Sequence, residues 1–234
     1  MLVIAPRTAG RGRVMFERAA LPRTLPFVTY IFFIFIADLS GRLGYSAEQL
    51  QLLYPLKIAA VLAVLLLHRR HYIELAWQRP RASALLLAGS VGVVVFVLWI
   101  TLNANWMTIG SSVGYDPRRD GAIVWPLVLV RIVGAALVVP VMEELFWRSF
   151  LMRWIVERDF LRVTPRNVKF KSFVVTVILF GFEHNLWLAG IVAGLAYSVI
   201  YMRSSNLWLS VFAHAVTNGL LGVWIVCTAQ WTYW

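Results

Sequence analysis

Residues 84–102 read ALLLAGSVGVVVFVLWITL and contain no charged side chain. A helix rises about 1.5 Å per residue, so this stretch would extend about 28 Å, close to the thickness of a bilayer's hydrocarbon core. Similar apolar runs occupy residues 52–67, 186–201 and 207–227. Lipid offers no hydrogen-bond partner to free backbone groups, and the alternating pattern of membrane β-strands is absent. The runs therefore predict membrane-spanning helices.

The composition agrees with a membrane protein, because 60% of the 234 residues are hydrophobic and 14% are charged, against about 25% charged in soluble domains. The net charge of +11 comes from Lys and Arg at the ends of apolar runs. No basic face with interleaved aromatic residues is left over, which excludes nucleic-acid binding. The single cysteine, Cys227, excludes an internal disulfide framework. We predict an all-α, polytopic transmembrane helix bundle.

The sequence predicts about seven spans in one membrane domain. Residues 1–24 form a basic cytoplasmic tail, residues 25–121 carry N-terminal transmembrane helices, and residues 122–228 form the core. The pattern Ser46-Ala-Glu-Gln49 is a capping box that would begin the second span. The fourth span would be roughly 50 Å long, so its first part is a candidate for a separate interfacial segment. The predicted spans are 25–41, 47–67, 83–102, 122–157, 170–185, 186–202 and 207–228.

The arginine distribution predicts the orientation. Alternate connecting segments hold most of the Lys and Arg residues, whereas the intervening segments hold Arg42, Arg118 and Arg119. By the positive-inside rule the N-terminus is cytoplasmic and, with seven spans, the C-terminus is outside. No small-residue cleavage site follows the first apolar run, so we predict that this span is retained and is not a cleaved signal peptide.

Charged residues inside a span are costly and are therefore candidates for function. Residues 141–148 read VMEELFWR within an otherwise apolar helix. Glu144 and Arg148 are four residues apart, so they share a face and can neutralise each other. Glu143 points about 100° away from them and has no partner on its own helix.

Later spans add His184, His214 and Asn218. At about 1.5 Å per residue, these residues and Glu143 lie roughly 12–20 Å from the cytoplasmic ends of their helices. Taken singly, each set has a structural explanation as an ion pair or an interhelical hydrogen bond. Together they provide a base, two imidazoles and an amide donor at one depth, which suits activation of water and stabilisation of an oxyanion. Neighbouring hydroxyls lack a base-and-carboxylate arrangement, so water is the predicted nucleophile.

In this order and on separate spans, these motifs resemble the CAAX protease and bacteriocin-processing family, which includes the Ras-converting endopeptidase. The resemblance covers about residues 122–228, and the short loops are also similar to a bacterial subgroup associated with exosortase sorting systems. The resemblance therefore implies a protein of a bacterial inner (plasma) membrane. The resemblance implies an endopeptidase in which Glu143 activates water and His184 helps to hold it, while His214 and Asn218 steady the oxyanion. It further implies that Glu144 orients the site through Arg148, and that Phe180 packs beneath the site.

The resemblance leaves metal dependence open, since the family has been described both as metalloproteases and as metal-independent glutamate proteases. Zinc bound by Glu143, His184 and His214 would leave a position for water. There is no His-Glu-x-x-His helix, and the nearby Arg148 disfavours a cation. We therefore expect no cofactor, with zinc as the alternative.

The expected partners are membrane lipids and a membrane-embedded or lipid-modified peptide substrate, and the residues do not select a prenyl group. The alternative function is a non-catalytic membrane scaffold or immunity protein that retains the protease fold. A proton-coupled transporter is disfavoured because the two halves of the chain show no repeat symmetry.

Other charged residues in or beside the spans have structural interpretations. Asp38 and Lys57 could pair between neighbouring helices, and Arg131 either marks the outer boundary of the fourth helix or binds a substrate carboxylate. Glu183 either orients His184 or faces the outer water layer.

Overall fold

The computed structural model describes residues 9–110 and 114–234. Arg7, part of the predicted basic tail, lies outside the described residues. Within them the chain forms seven main helices and one short hairpin. The helices are α1 (Ala9–Arg42), α2 (Ala47–Leu67), α3 (Ala82–Thr101), α4 (Trp125–Trp154), α5 (Phe170–Phe182), α6 (Trp187–Ser204) and α7 (Leu207–Thr228).

The predicted all-α membrane bundle is confirmed. Six helices are long and apolar enough to cross a membrane, the first of these stretches being Ala19–Arg42. Their outer faces carry large apolar side chains such as Phe35 and Leu86, which suits contact with lipid. Helix α5 has 13 residues and extends only about 20 Å, which is shorter than the six spanning helices. The backbone N–H of Ile109 donates to the carbonyl of Asn185 (2.8 Å), which ties the loop after α3 onto the turn that follows α5.

The apolar stretch of α1 begins at Ala19. This is six residues before residue 25, where the sequence predicted that the first span would begin. The sequence placed the boundary after Arg23 because a lone arginine is costly in an apolar environment. In the structure Arg23 is 1% exposed, and its guanidinium forms an ion pair with Glu74 at 2.6 Å. The pairing removes the penalty that the local sequence predicted.

Helix α4 is continuous from Trp125 to Trp154, so the expected separate interfacial segment at its start is wrong. Two stretches of wider π-helix, Gly134–Val138 and Leu145–Leu151, flank the α-helical residues Val139–Glu144. Pro140 lacks a backbone N–H, and the wider turn before it accommodates the lost hydrogen bond without ending the helix. Glu143 and Glu144 thus lie on the short α-helical piece between two π stretches.

The predicted capping box forms, and the structure adds a short hairpin before α4. The capping box of α2 is present, with the Gln49 N–H donating to Ser46 Oγ (3.2 Å) and the Ser46 N–H donating to Gln49 Oε1 (2.8 Å). The strands β1 (Arg118–Arg119) and β2 (Ala122–Ile123) pair antiparallel. Asp120 and Gly121 join them with positive φ angles of 49° and 80°, as a two-residue hairpin turn requires.

The expected Asp38–Lys57 pair does not form. Asp38 accepts from Arg42 one turn further along α1 (2.9 Å). The Lys57 ammonium lies over the rings of Tyr30 and Tyr54, at 3.9 and 5.0 Å from their centroids. Ring faces attract cations, and the aromatic neighbours on other helix turns could not be read from the linear sequence.

Helices α3 and α7 pack closely. Thr217 Oγ1 donates to the carbonyl of Gly92 (2.9 Å), and a Cβ on Gly92 would lie 2.4 Å from the carbonyl oxygen of Ala213. The absence of a side chain at residue 92 therefore allows the backbones to approach. This contact fixes the position of α7, which carries His214 and Asn218.

Candidate active site

A cavity of about 160 Å³ lies among α4, α6, α7 and the end of α5. It is lined by the four predicted catalytic residues, Glu143, His184, His214 and Asn218, and by Phe180. Glu144 and Arg148 do not line it but lie behind it, fully buried. The structure thus brings together the four side chains that the sequence placed at one depth.

Glu143 is the carboxylate that faces this cavity. It is 5% exposed, and its Oε2 atom has no hydrogen-bond partner among the described residues. The nearest charged contact of Oε2 is His214 Nε2 at 3.9 Å, which is too long for a hydrogen bond. A buried carboxylate oxygen without a partner can accept a proton or a hydrogen bond from a water in the cavity.

Glu144 organises the residues behind the cavity. Its Oε1 atom lies 3.2 Å from Arg148 Nη1, so the ion pair predicted from the i, i+4 spacing is confirmed. The same oxygen lies 3.0 Å from His214 Nδ1, which links α4 to α7. A carboxylate accepts, so Nδ1 carries the proton and Nε2 is directed away from Glu144.

Phe180 packs against the cationic group of this network. The Arg148 guanidinium lies over the Phe180 ring at 4.1 Å from its centroid, and Arg148 Nη2 donates to the carbonyl of Gly194 (3.5 Å). Phe180 lines the cavity and Arg148 does not, so the ring lies between the buried guanidinium and the cavity.

His184 lies just after α5, in the turn that leads to α6. Its Nδ1 atom is 2.8 Å from the carbonyl oxygen of Phe180. A carbonyl oxygen can only accept, so Nδ1 donates and Nε2 holds a lone pair. Trp99 of α3 packs edge-on against the imidazole at 5.2 Å. His184 is thus held in the tautomer that accepts a hydrogen bond through Nε2.

Asn218 lines the cavity one turn after His214. Its Nδ2 atom donates to the carbonyl of Ala135 (2.9 Å), a residue in the first π-helical stretch of α4. An amide nitrogen carries two protons, so this bond orients the side chain and leaves a second donor.

Some residues that line or adjoin the site carried no recognisable sequence signal. Tyr197 stacks on the His214 ring, with centroids 4.8 Å apart and planes 20° apart, and its hydroxyl donates to Thr217 Oγ1 (2.7 Å). In the sequence it looks like an ordinary residue of an apolar helix.

Glu183 accepts a hydrogen bond from Trp147 Nε1 (3.0 Å). Neither predicted role of Glu183, orienting His184 or facing the outer water layer, explains this contact.

Arg131 is not merely at the boundary of α4. It lines the same cavity as Glu143, and its guanidinium lies over the rings of Tyr54 and Tyr115, at 4.3 and 4.5 Å from their centroids.

The residues as placed do not fit a zinc site. Among the described residues no group of three His, Cys, Asp or Glu side chains has the arrangement of a metal-binding set. His214 already engages Glu144 through Nδ1 (3.0 Å). The alternative ligand set of Glu143, His184 and His214 is therefore not formed in this arrangement.

The part of the chain that carries the predicted site residues matches a known protein family. The family described as type II CAAX prenyl endopeptidase, Rce1-like, matches residues 125–220. Residues 125–220 are an Rce1-like CAAX endopeptidase domain. The Rce1-like domain begins with α4 and extends through most of α7, so it contains all seven predicted site residues. The chain has no match among curated proteins or among solved structures.

The membrane helices and the Rce1-like domain together define the general class of the protein. It is an integral membrane protein with an intramembrane protease domain. The N-terminal helices α1–α3 lie outside the matched residues, yet they supply Trp99, Tyr30 and Tyr54 to the wall of the cavity.

Proposed function

We propose that the protein is an intramembrane endopeptidase in which Glu143 activates a water molecule to hydrolyse peptide bonds of membrane-associated substrates. One observation carries the proposal. An unpartnered carboxylate oxygen of Glu143 lies in a cavity of about 160 Å³ that is also lined by His184, His214 and Asn218. The cavity has room for a water molecule and supplies several polar partners for it.

In the proposed reaction Glu143 takes a proton from the water while the water oxygen forms a bond to the substrate's carbonyl carbon. His184 helps to hold the water by accepting its other proton in a hydrogen bond at Nε2, because Nδ1 is engaged by Phe180. Glu143 then passes its proton to the leaving nitrogen, and the carbon–nitrogen bond breaks. The carboxylate is regenerated, so no further reactant is needed.

The oxyanion formed by the attack needs donors. Asn218 offers the second proton of its amide, and His214 offers Nε2 when its imidazole is charged, since Nδ1 already donates to Glu144. Donors that are already oriented cost no reorganisation when the charge develops.

The test compares wild type with Glu143→Gln in liposomes, against a library of membrane-tethered peptides. The substitution keeps the shape of the side chain and removes the base, so we expect cleavage to fall to background. Glu157→Gln makes the same change at an exposed residue shortly after the same helix and should cleave at the wild-type rate. Equal cleavage by Glu143→Gln and wild type would contradict the role of Glu143 as the base. A folded wild type that cleaves no peptide would contradict the proposal and favour the scaffold alternative.

The same assay decides the role of metal. If Glu143 activates water directly, without a metal, we expect cleavage to continue when a chelator is present. Loss of cleavage with chelator and its return with zinc would instead establish a zinc-dependent enzyme.

We also propose a bacterial inner-membrane protein with the N-terminus inside and the C-terminus outside, acting on a membrane-embedded or lipid-modified peptide and not on nucleic acid. The charge asymmetry of the loops supports this orientation. In a Cys227→Ser background, an impermeant thiol reagent applied to intact cells should label Asn105→Cys and spare Arg158→Cys, both at exposed positions. The reverse labelling would invert the orientation.

A further inference from the structure

The chain reverses direction after α7. Ala229 follows the helix with a positive φ of 55°, a conformation that commonly ends a helix. Residues Trp231–Tyr233 then form one turn of 3₁₀ helix. We call residues 230–234 the strap. It follows the end of α7 that is predicted to be outside.

The strap closes one side of the catalytic cavity. Tyr233 and Trp234 line this cavity together with the proposed catalytic residues. Of the other described residues along its wall, His184 lies in the turn between α5 and α6 and the rest lie on the main helices. The strap is therefore the part of the wall that can move without displacing a helix or His184.

The closed cavity is too small for a peptide. Its volume of about 160 Å³ accommodates a few water molecules at about 30 Å³ each, whereas sites for small organic ligands occupy about 300–1,000 Å³. A peptide bond with its neighbouring residues needs at least as much room as such a ligand. Binding of a substrate at Glu143 therefore requires part of the wall to move.

A second cavity adjoins the first at the strap. It has a volume of about 720 Å³ and lies between the outer ends of α1 and α2. Tyr54, Arg131 and Trp234 line both cavities, and of these three Trp234 lies outside the helices. Movement of the Trp234 ring would join the two cavities into a space large enough for a peptide.

Trp231 anchors the base of the strap. Its side chain is 8% exposed, and its carbonyl oxygen accepts a hydrogen bond from the Tyr115 N–H (3.2 Å). A Cβ on Gly114 would lie 2.5 Å from the same oxygen, so the loop before α4 packs directly on the strap. Tyr233 and Trp234 line the catalytic cavity and Trp231 does not, so the tip can move while the base stays fixed.

The contacts that hold the tip are weak and reversible. The strap has no charged side chain. The Tyr233 hydroxyl accepts a hydrogen bond from Asn103 Nδ2 (2.9 Å), and the Arg131 guanidinium lies 5.6 Å from the centroid of the Trp234 ring. One contact of either kind changes an equilibrium roughly 2–10-fold. The tip can therefore leave the wall while the bundle stays folded.

We propose that the strap is a gate on the catalytic cavity, closed in this structure, and that substrate reaches Glu143 only after Tyr233 and Trp234 move aside. The proposal rests on the proposed function and adds control of access to the same site. Tyr233 and Trp234 then determine entry of the substrate and take no part in the hydrolysis.

The first experiment measures access without cleavage. Ala193 lines the catalytic cavity and is 1% exposed, so Ala193→Cys in a Cys227→Ser background places a thiol behind the gate. The rate at which a charged, water-soluble thiol reagent labels this thiol in detergent reports how often the gate opens. We expect Tyr233→Ala and Trp234→Ala each to raise the rate about 5-fold, the effect of losing contacts of this strength. Trp234→Phe keeps an aromatic ring and should label at nearly the parent rate.

Trp125→Ala is the matched control for the labelling measurement. It removes the same side chain from an exposed residue at the same end of the molecule, and Trp125 lines neither cavity, so the labelling rate should equal that of the parent. Equal rates in the parent and in both alanine variants of the strap overturn the proposal. An equal rise in Trp125→Ala also overturns it, because the effect would then be a general loosening of the bundle.

The second experiment locks the gate. In the Cys227→Ser background, Asn103→Cys and Tyr233→Cys are joined by a bis-methanethiosulfonate reagent that spans the former contact of the two side chains, and the bridge is later removed with a reducing agent. We expect bridging to lower cleavage of membrane-tethered peptides to background and reduction to restore it. Each single variant treated with the same reagent should cleave as before treatment. Cleavage that continues in the fully bridged protein overturns the proposal.

Failure of the gate and failure of the proposed function give different results. Labelling of Ala193→Cys involves no peptide bond, so it supports or overturns the gate even if the wild type cleaves no peptide. If the wild type cleaves peptides while the strap variants label at the parent rate, the proposed function stands and the gate is overturned.

Discussion

At the scale of the residue, Asn218 shows how one side chain can serve both structure and chemistry. One of its amide protons bonds the carbonyl of Ala135 on α4 (2.9 Å), which orients the group at the cavity wall. The neighbouring His214 is fixed by Glu144 and by the stacked Tyr197. Both proposed oxyanion donors are thus positioned before a substrate binds, which is the condition for electrostatic stabilisation.

Asn218→Asp should therefore lower kcat by about 10²–10³-fold, the usual effect of removing one oxyanion donor, and change KM little. The substitution keeps the size of the side chain and replaces donors with acceptors. Cleavage kinetics on one peptide measure the effect. Asn206→Asp is the matched control, because Asn206 caps the start of α7 by accepting from the Trp208 N–H (3.0 Å) and aspartate caps equally well. Equal kcat values for the two variants would remove Asn218 from the mechanism.

At the scale of the element, the contact between α5 and α6 positions His184. A Cβ on Gly181 would lie 2.3 Å from Ile191 Cγ1 and 3.0 Å from the carbonyl oxygen of Trp187. A Cβ on Gly190 would lie 3.0 Å from the Cα atom of Gly181. Two glycines facing each other allow the close crossing that places the end of α5 against the site.

Gly181→Ala should destabilise the protein by about 1–3 kcal/mol through overpacking and reduce cleavage by moving His184. Thermal unfolding in detergent measures the first effect, and the peptide assay measures the second. Gly41→Ala makes the same change in α1 where no atom lies within 4 Å of the new Cβ, so its stability should equal or slightly exceed that of wild type. A Gly181→Ala protein as stable and active as wild type would show that the crossing has room to adjust.

At the scale of the whole molecule, a buried charge cluster joins three parts of the chain at the end predicted to be cytoplasmic. Glu74, in the loop between α2 and α3, forms ion pairs with Arg23 of α1 (2.6 Å) and Arg153 of α4 (2.9 Å). Ser149 also donates to Glu74. Glu74 is 6% exposed at its side chain, so this cluster ties the N-terminal helix to the helix that carries the proposed base.

Two opposing causes act on the pKa of Glu74. Burial raises it, but hydrogen bonds from Arg23 and Ser149 together with the charge of Arg153 outweigh burial and hold it below its ordinary value of 4.5. A carboxyl with a lowered folded pKa stabilises the fold above its unfolded pKa, and this contribution is lost as the pH falls through the folded value.

Unfolding measured between pH 7 and pH 3 should therefore show stability falling below about pH 4.5. Glu74→Gln should lower stability at pH 7 by about 3–5 kcal/mol, because it leaves two buried arginines without their acid, and should flatten this part of the pH dependence. Asp159→Asn removes an exposed acid paired with Arg162 (2.8 Å) and should change stability by less than about 1 kcal/mol. A Glu74→Gln protein with wild-type stability at pH 7 would refute the role of the cluster.

The sequence by itself determined what depends on neighbouring residues in the chain. The apolar run at residues 84–102 predicted a spanning helix, the i, i+4 spacing predicted the ion pair of Glu144 with Arg148, and the pattern at residues 46–49 predicted a capping box. These features follow from transfer free energy and helix periodicity, which are properties of short segments.

Only the tertiary structure decided which faces of different helices meet. It paired Lys57 with aromatic rings instead of Asp38, buried Arg23 against Glu74, and joined His214 to Glu144. The depth of a residue in the membrane can be counted along its own helix, so the sequence could bring Glu143 and His184 to one level. The rotation and crossing of the helices arise from packing over the whole bundle, so the contacts of Tyr197 and the surroundings of Arg131 could not be read from the chain.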